Sequence, residues 1–265
     1  IINAADSQGT LELETGNLAS DISTTTGAGT TNVVGTVTND DDKTITQNEV
    51  NISGTLTTKA DKVRATGLYG IYNIGTLNLN VGELASNISG IGTTNVKENV
   101  SSAKTIIQGT LTVDSGVTFA NTGSVTADVL TNAGTITNAS TKTITVNTTL
   151  DNTNTITNNG ILTIKGDTKN EGTIDGEGTL ALTNNFENKG TITQGTLTLD
   201  TDKVLTNDAS KTITVTDTLT NAGTIQNEGT LNVGGTNYLG LITDNATPSG
   251  TLNLTGTITA DNTVT

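Results

Sequence analysis

The sequence predicts an all-β fold, a single parallel β-helix (β-solenoid) with roughly 18–20 residues in each rung. Three observations predict it. An Asn-led turn recurs at nearly constant spacing, Gly-Thr-Ile and Gly-Thr-Leu phrases follow these turns, and apolar residues alternate with polar ones. Successive turns are 20, 18, 18, 19 and 14 residues apart. The turn residues are Asn132, Asn152, Asn170, Asn188, Asn207 and Asn221.

The alternation assigns side chains to the inside or the outside of each rung. Ile144 and Val146 point to one side of their strand, while Thr143 and Thr145 point to the other. Most rungs hold three such apolar positions, which predicts three short strands per rung. The third inward position stands just before each Asn turn and is filled by Leu130, Leu150, Phe186, Leu205 and Leu219.

The Asn residues of the turns have two predicted roles. Asn and Gly tolerate the positive φ angles that tight corners require. Asn side chains stacked on successive rungs can also hydrogen-bond to one another along the solenoid. We therefore expect Asn132, Asn152, Asn170 and Asn188 to form a ladder of amides, continued by the later turn residues.

The first half of the chain carries a longer repeat. The segment 9–13 and the residues after it recur at 75–79, an offset of 66 residues, which indicates a duplication of about three rungs. We expect one continuous solenoid over 1–265, with an irregular excursion at about 59–74 and a second at about 236–249. At that rung length the chain makes roughly 13 rungs and a rod on the order of 60 Å long.

The composition limits the possible functions. The 265 residues include no His and no Cys, which excludes Ser-His and Cys-His nucleophiles and zinc sites built on those ligands. The net charge is −14 and Arg64 is the only arginine, which argues against a nucleic-acid partner. No apolar run is long enough to insert into a membrane as a helix. We expect no cofactor and no metal, and the missing initiator Met suggests a processed product or an excised piece.

One segment combines positive charge with aromatic residues in a way that no other part of the chain does. It is the predicted contact site for a partner, and its residues are Lys59, Lys62, Arg64, Tyr69 and Tyr72. With Asp61, the same cluster is the only arrangement that resembles the site of a polysaccharide lyase or hydrolase. It is sparse in aromatics for that chemistry, so we expect no enzymatic activity.

Two further interpretations concern calcium and ice. Asp40, Asp41 and Asp42 offer hard oxygen ligands, yet the glycine-rich nonapeptide of calcium-binding β-rolls is missing, and a solvated acidic turn is the simpler interpretation. Outward Thr pairs resemble the ice-binding faces of some β-solenoids. Substituted positions such as Asp175 and Ala181 interrupt those rows, which favours the ordinary preference of Thr for strands.

The alternation of Asn-x-Gly-Thr-Ile-x-Asn with Gly-Thr-Leu-x-Leu, and the phrase Leu-Ala-Ser-Asn-Ile-Ser-Gly at 84–90, resemble the passenger region of bacterial autotransporter adhesins and related surface repeat proteins. The resemblance is one of style and covers nearly the whole chain. It implies a right-handed parallel β-helix displayed outside a Gram-negative-type cell.

We therefore expect a structural or adhesive rod at a bacterial cell surface. Its partner would be another protein, a surface glycan or a second copy of the chain. An alternative is a filament or sheath subunit that stacks end to end, because neither 1–3 nor 256–259 resembles a capping segment.

Overall fold

The protein is an all-β parallel β-solenoid of about 12 turns with roughly 19 residues per turn, and no helix occurs among the residues that the structure describes. The predicted fold class and rung length are confirmed, and the expected 13 rungs are one too many. The chain divides into two compact units, Ile1–Ala127 and Asp128–Thr265. The computed structural model describes residues 2–3, 9–24, 29–39, 43–67, 70–238, 240–243, 250–255 and 257–259.

The described residues form short strands joined by tight turns. The first eighteen strands are β1 (Ile2–Asn3), β2 (Thr10–Leu13), β3 (Gly16–Asn17), β4 (Ile22–Thr24), β5 (Thr30–Val33), β6 (Thr36–Asn39), β7 (Ile45–Gln47), β8 (Glu49–Ile52), β9 (Thr55–Lys59), β10 (Val63–Ala65), β11 (Ile71–Asn73), β12 (Thr76–Asn80), β13 (Gly82–Glu83), β14 (Ile88–Ser89), β15 (Thr93–Val96), β16 (Val100–Ser102), β17 (Thr105–Val113) and β18 (Thr118–Asn121).

The remaining strands are longer on average, because several of them continue around a corner of the solenoid. They are β19 (Ser124–Asn132), β20 (Thr135–Asn138), β21 (Thr143–Asn152), β22 (Thr155–Asn158), β23 (Ile161–Ile164), β24 (Thr168–Asn170), β25 (Thr173–Asp175), β26 (Thr179–Leu182), β27 (Phe186–Asn188), β28 (Thr191–Leu199), β29 (Val204–Asn207), β30 (Thr212–Asn221), β31 (Thr224–Asn227), β32 (Thr230–Val233), β33 (Thr236–Tyr238), β34 (Leu241–Thr243), β35 (Thr251–Leu254) and β36 (Thr257–Thr259).

In the first unit the strands stack into three columns. Column A contains β2, β5, β8, β11, β14 and the start of β17, each paired in parallel with the next. Column B contains β3, β6, β9, β12, β15 and the end of β17. Column C begins with the separate sheet β1-β4-β7-β10 and continues as β13, β16 and β18.

The second unit also has three columns. Column D contains β20, β22, β25, β32, β35 and the first parts of β28 and β30. Column E contains β23, β26, β33, β36, the first part of β21 and the second parts of β28 and β30. Column F contains the end of β21, then β24, β27, β29, β31 and β34.

The predicted inward side chains form the core. Each apolar residue assigned to the inside of the regular rungs is buried, and three inward strands per rung are therefore confirmed. Burial of a Leu or Ile side chain contributes about 1.5–3 kcal/mol, so the rungs are held together by many small contributions. The fully buried positions include Ile136, Ile156, Ile174, Ile192, Leu162, Leu180, Leu197, Leu150 and Leu205.

An internal ladder of asparagine amides runs through column F. Each amide Nδ2 donates to the Oδ1 of the Asn on the next rung, at distances of 2.7 to 3.1 Å. Every member is buried. In order, the ladder comprises Asn132, Asn152, Asn170, Asn188, Asn207 and Asn227. Because Asn carries both a donor and an acceptor, a column of identical Asn side chains satisfies itself in the interior.

The predicted sixth member of the ladder, Asn221, is wrong. Asn221 ends the column E part of β30 and pairs with Leu199, whereas Asn207 pairs with Asn227. The Asn221 amide instead donates to the backbone oxygen of Leu241 at 3.0 Å. Exchanging Asn221 for Asn227 replaces the irregular step of 14 residues by one of 20, which matches the other rungs.

The sequence did not predict a second type of internal amide contact, which spans two rungs. In column A, Asn73 donates to Gln108 at 2.7 Å, and in column D, Asn158 donates to Gln194 at 2.8 Å. The rung between each pair carries a glycine, at φ +114° for Gly90. The longer Gln side chain reaches across the space that a side chain at the glycine would otherwise occupy.

The repeat of the first half does not coincide with the columns. The segment 10–13 forms β2 in column A, whereas 76–80 forms β12 in column B. The expected duplication of about three rungs is therefore not a whole number of turns, because 66 residues exceed three turns of roughly 19 residues and place the second copy on another column.

The two predicted excursions differ in how much the structure describes. β10 pairs in register with β7, and β11 pairs with β8, so the described part of 59–74 follows the columns. Most of 239–249 lies outside the described residues. One continuous solenoid over the whole chain stays a prediction.

We predict that Asn170→Ala lowers the melting temperature by roughly 4–10 °C. The substitution removes the ladder partners of the Asn152 amide and the Asn188 oxygen. Each of these groups keeps another hydrogen bond, to the Thr173 oxygen and from the Gly190 nitrogen, so each lost bond costs about 0.5–1.5 kcal/mol. The matched control is Asn154→Ala, since Asn154 is exposed and donates only to a backbone oxygen. Thermal unfolding followed by circular dichroism measures both, and equal shifts would contradict a structural role for the ladder.

Candidate functional site

Four large apolar side chains project from the first unit where the outer surface is otherwise rich in Thr and Asn. They lie on column A and on the turn from column A to column B, and we call them the apolar corner. Their exposed fractions are 47%, 47%, 81% and 49% for Tyr72, Ile74, Ile91 and Ile107. Together they expose a few hundred Å² of apolar surface, the size at which such a patch on a soluble protein marks an interaction site.

The strand register brings these side chains together. Tyr72 pairs with Ser89, and Thr76 pairs with Thr93, so Ile74 stands beside Ile91 on the next rung. Ile88 pairs with Ile106, so Ile107 follows on the third rung. Neighbouring rungs are about 4.8 Å apart, so Ile74 and Ile91 are direct neighbours, and Tyr72 and Ile107 lie beside them on the first and third rungs with Ser89 between the two.

Glycines explain why Ile91 remains uncovered. At Gly92 an added Cβ would come within 2.6 Å of the Gly75 oxygen, and at Gly109 it would come within 2.2 Å of the Ile91 oxygen. The backbones of successive rungs are thus in direct contact at this turn, and such close contact requires glycine. The rung after Ile91 consequently offers no side chain to cover it.

Sequence reasoning missed three of these four residues, although the signal was present. In an alternating strand, two consecutive Ile residues cannot both face inward. The structure buries Ile106 and exposes Ile107. Ile91 lies between two glycines and outside any strand. It is therefore not one of the alternating strand positions that supply the core.

The predicted contact residues are spread over the three columns. Lys59 ends β9 in column B, where it pairs with Asn80. Lys62 lies in the following turn and forms an ion pair with Asp61 at 3.1 Å. Tyr69 lies outside the described residues. Lys59 and Lys62 belong to one turn, in which the Lys62 nitrogen donates to the Lys59 oxygen at 3.1 Å.

Arg64 and Tyr72 lie closer to the apolar corner. Tyr72 belongs to it, and Arg64 is exposed in the centre of β10. Arg64 lines a cleft of about 230 Å³ together with Lys104, Asn87 and Gly70. Gly70 stands two residues before Tyr72 on the same rung, about 7 Å away. The cleft thus places two positive charges at one margin of the apolar corner.

Among the residues that the structure describes, no group of three or more His, Cys, Asp or Glu could hold a metal ion. The three aspartates Asp40, Asp41 and Asp42 lie outside those residues. The absence of enzymatic activity therefore stays a prediction.

Comparisons with protein-family models, with curated proteins and with solved structures find no match to this chain. In the part of the chain that the structure describes, no helix is long and apolar enough to cross a membrane. The β-solenoid fold is therefore shown, and none of these comparisons assigns the chain to a family.

We predict that Ile91→Glu leaves the unfolding free energy within about 0.5 kcal/mol of the wild type, because the side chain is mostly in water. By contrast, Ile88→Ala, three residues earlier and 1% exposed, should cost about 2–5 kcal/mol through loss of a core side chain. Denaturant unfolding compares the two. A large destabilisation by Ile91→Glu would show that Ile91 belongs to the core and not to a contact surface.

Proposed function

We propose that this chain is a structural and adhesive β-solenoid that acts at a bacterial cell surface without catalysis. Its mechanism is geometric, because a stiff stack of rungs holds a contact surface in a fixed position. The apolar corner is the contact surface, with Arg64 and Lys104 at its margin.

The observation that supports this proposal is the exposure of the apolar corner. An Ile side chain that is 81% exposed forgoes most of the stabilisation that burial would contribute. Other outward positions of the first unit carry polar side chains that hydrogen-bond to one another, such as Asn95 donating to Asn78 at 2.9 Å, although Val34 and Val81 are also partly exposed. Four apolar residues in one place are thus not a consequence of the solenoid itself, and contact with a partner accounts for them.

The cell-surface location is proposed from the repeated phrases of the sequence. The recurring Asn-x-Gly-Thr-Ile and Gly-Thr-Leu-x-Leu phrases resemble autotransporter passengers and related surface repeat proteins. A buried core made from small aliphatic residues and amides, without any cysteine, is compatible with such a location.

We predict that display of this chain on bacterial cells increases their adherence to hydrophobic and mucin-coated surfaces. The double substitution Ile91→Glu with Ile107→Glu should abolish at least about nine-tenths of that gain. Central apolar anchors of an interface are typically worth 2 kcal/mol or more, roughly a 30-fold change in Kd. The number of adherent cells is measured at equal surface expression, which flow cytometry establishes.

The matched control adds the same two charges elsewhere in the first unit, as Ser20→Glu with Ser115→Glu at exposed turn positions. It should adhere like the wild type. Equal adherence of the Ile91/Ile107 variant, or no gain over the bare display scaffold, would refute the proposed contact surface. Uniform fibres that lengthen with concentration, seen by electron microscopy of the purified chain, would instead support the alternative of a filament subunit.

A further inference from the structure

The second unit carries a groove that is independent of the apolar corner. It lies along column F, where β21, β24, β27 and β29 stack, and has a volume of about 690 Å³. This volume lies within the range of ordinary ligand sites. Its walls include the edges of Leu150 and Phe186, together with the half-buried Val204.

A small residue at one position of the core marks the centre of this groove. The register aligns Leu150, Thr168, Phe186 and Leu205 at the third inward position of successive rungs. Three of these side chains are large and at most 2% exposed, whereas Thr168 is small and only half-buried. The Thr168 hydroxyl accepts a hydrogen bond from the Leu150 backbone nitrogen at 2.9 Å, which fixes its orientation.

The groove is short of positive charge. Three carboxylates, from Asp151, Asp167 and Glu187, line it against one ammonium group, that of Lys169. The Lys169 ammonium is held by Glu171 at 2.6 Å. Hydrogen bonding to Glu171 raises the pKa of Lys169, and the same contact lowers the pKa of Glu171.

The remaining carboxylates differ in their pairing. Glu187 has its own cation, Lys189, at 3.1 Å. Among the described residues, Asp151 and Asp167 make no ion pair within 4.0 Å. The one ammonium group that lines the groove, that of Lys169, is therefore engaged with Glu171. The two exposed carboxylates of Asp151 and Asp167 stand over a partly apolar groove without an ion pair of their own among the described residues.

We propose that this groove binds a lysine or arginine side chain presented by a partner protein. The aliphatic stem of that side chain lies along Thr168 and Val204, and its cationic group lies between Asp151 and Asp167. Long basic side chains bury their stems against apolar surface in this way while the charge stays at the rim. A single exposed pair contributes little, so each groove acts as one of several contacts with the partner.

The test uses n-butylammonium chloride, which reproduces a lysine side chain, added at constant ionic strength to the ¹⁵N-labelled full chain. We expect saturable amide shifts, centred on residues 149–151 and 167–169, with a Kd in the millimolar range. n-Butanol, which has the same stem without the charge, should produce no saturation at these positions.

Two kinds of variant separate the groove from its charge. Thr168→Leu and Thr149→Trp fill the groove and leave the net charge unchanged, and each should weaken binding at least about tenfold. Thr149 is exposed, so its substitution tests the groove even if Thr168→Leu disturbs folding. Asp151→Asn with Asp167→Asn keeps the groove open, and should weaken binding at least about fivefold.

The matched charge control is Glu177→Gln with Asp217→Asn, two exposed carboxylates that do not line the groove. It should bind like the wild type. The proposal is overturned if Thr149→Trp binds as the wild type does, if this control weakens binding as much as the Asp151/Asp167 variant, or if butanol saturates the same amides.

Discussion

Parallel strands stacked in register place every residue about 4.8 Å from its equivalents on the rungs before and after it. Each side chain in this fold therefore lies next to the equivalent side chains of the two neighbouring rungs, and its chemistry must allow it to pack against them. Leu and Ile stack on themselves without difficulty. Among polar side chains, Asn is suited to a buried column because each amide donates in one direction along the stack and accepts in the other. The column F ladder follows from this constraint.

The same constraint governs charge on the outer surface. Asp151, Lys169 and Glu187 are register neighbours on successive rungs, and their charges alternate. The row beside them contains Glu171, Lys189 and Asp208, whose charges also alternate, and Lys189 lies 3.9 Å from Asp208. Three identical charges in such a row would repel one another. Each exposed pair contributes less than about 1 kcal/mol, but the alternation avoids a larger penalty and leaves local imbalances, such as the groove on column F, open to a partner.

The sequence predicts the interior well, because the interior repeats. Alternation identifies Ile144, Val146 and their equivalents as buried, and five members of the Asn ladder follow from spacing alone. The spacing of the Asn turns predicts the wrong ladder residue where one rung contains more residues than its repeated sequence phrases suggest. Asn221 matches the local phrase, yet the long strand β30 shifts the following phrase to the next column, so that Asn227 takes the place in the ladder. A repeat in sequence is therefore not a repeat in register unless the number of residues per turn is also equal.

The proposed contact surfaces are harder to predict from the sequence than the core, because they are departures from the repeat. Arg64 and Tyr72 attract attention through residue type, whereas Ile91 and Ile107 differ from core residues only in the direction they face. That direction is decided by register and by the close approach of glycine backbones, which the sequence marks only through the Ile106-Ile107 doublet and the glycines on either side of Ile91. Thr168 is similar, since a threonine in a threonine-rich chain becomes informative only when its column is known to hold Leu and Phe.

Register is the central claim, and disulfide trapping across the apolar corner tests it directly. The chain has no cysteine of its own, so Ile74→Cys with Ile91→Cys introduces one possible pair. In-register neighbours have Cα atoms within the separation of about 4.4–6.8 Å that a disulfide requires. The account predicts near-complete oxidation of this pair, and little for Ile74→Cys with Asn95→Cys, which stands four residues out of register. Oxidation of the second pair in preference to the first would contradict the register and the contact surface that depends on it.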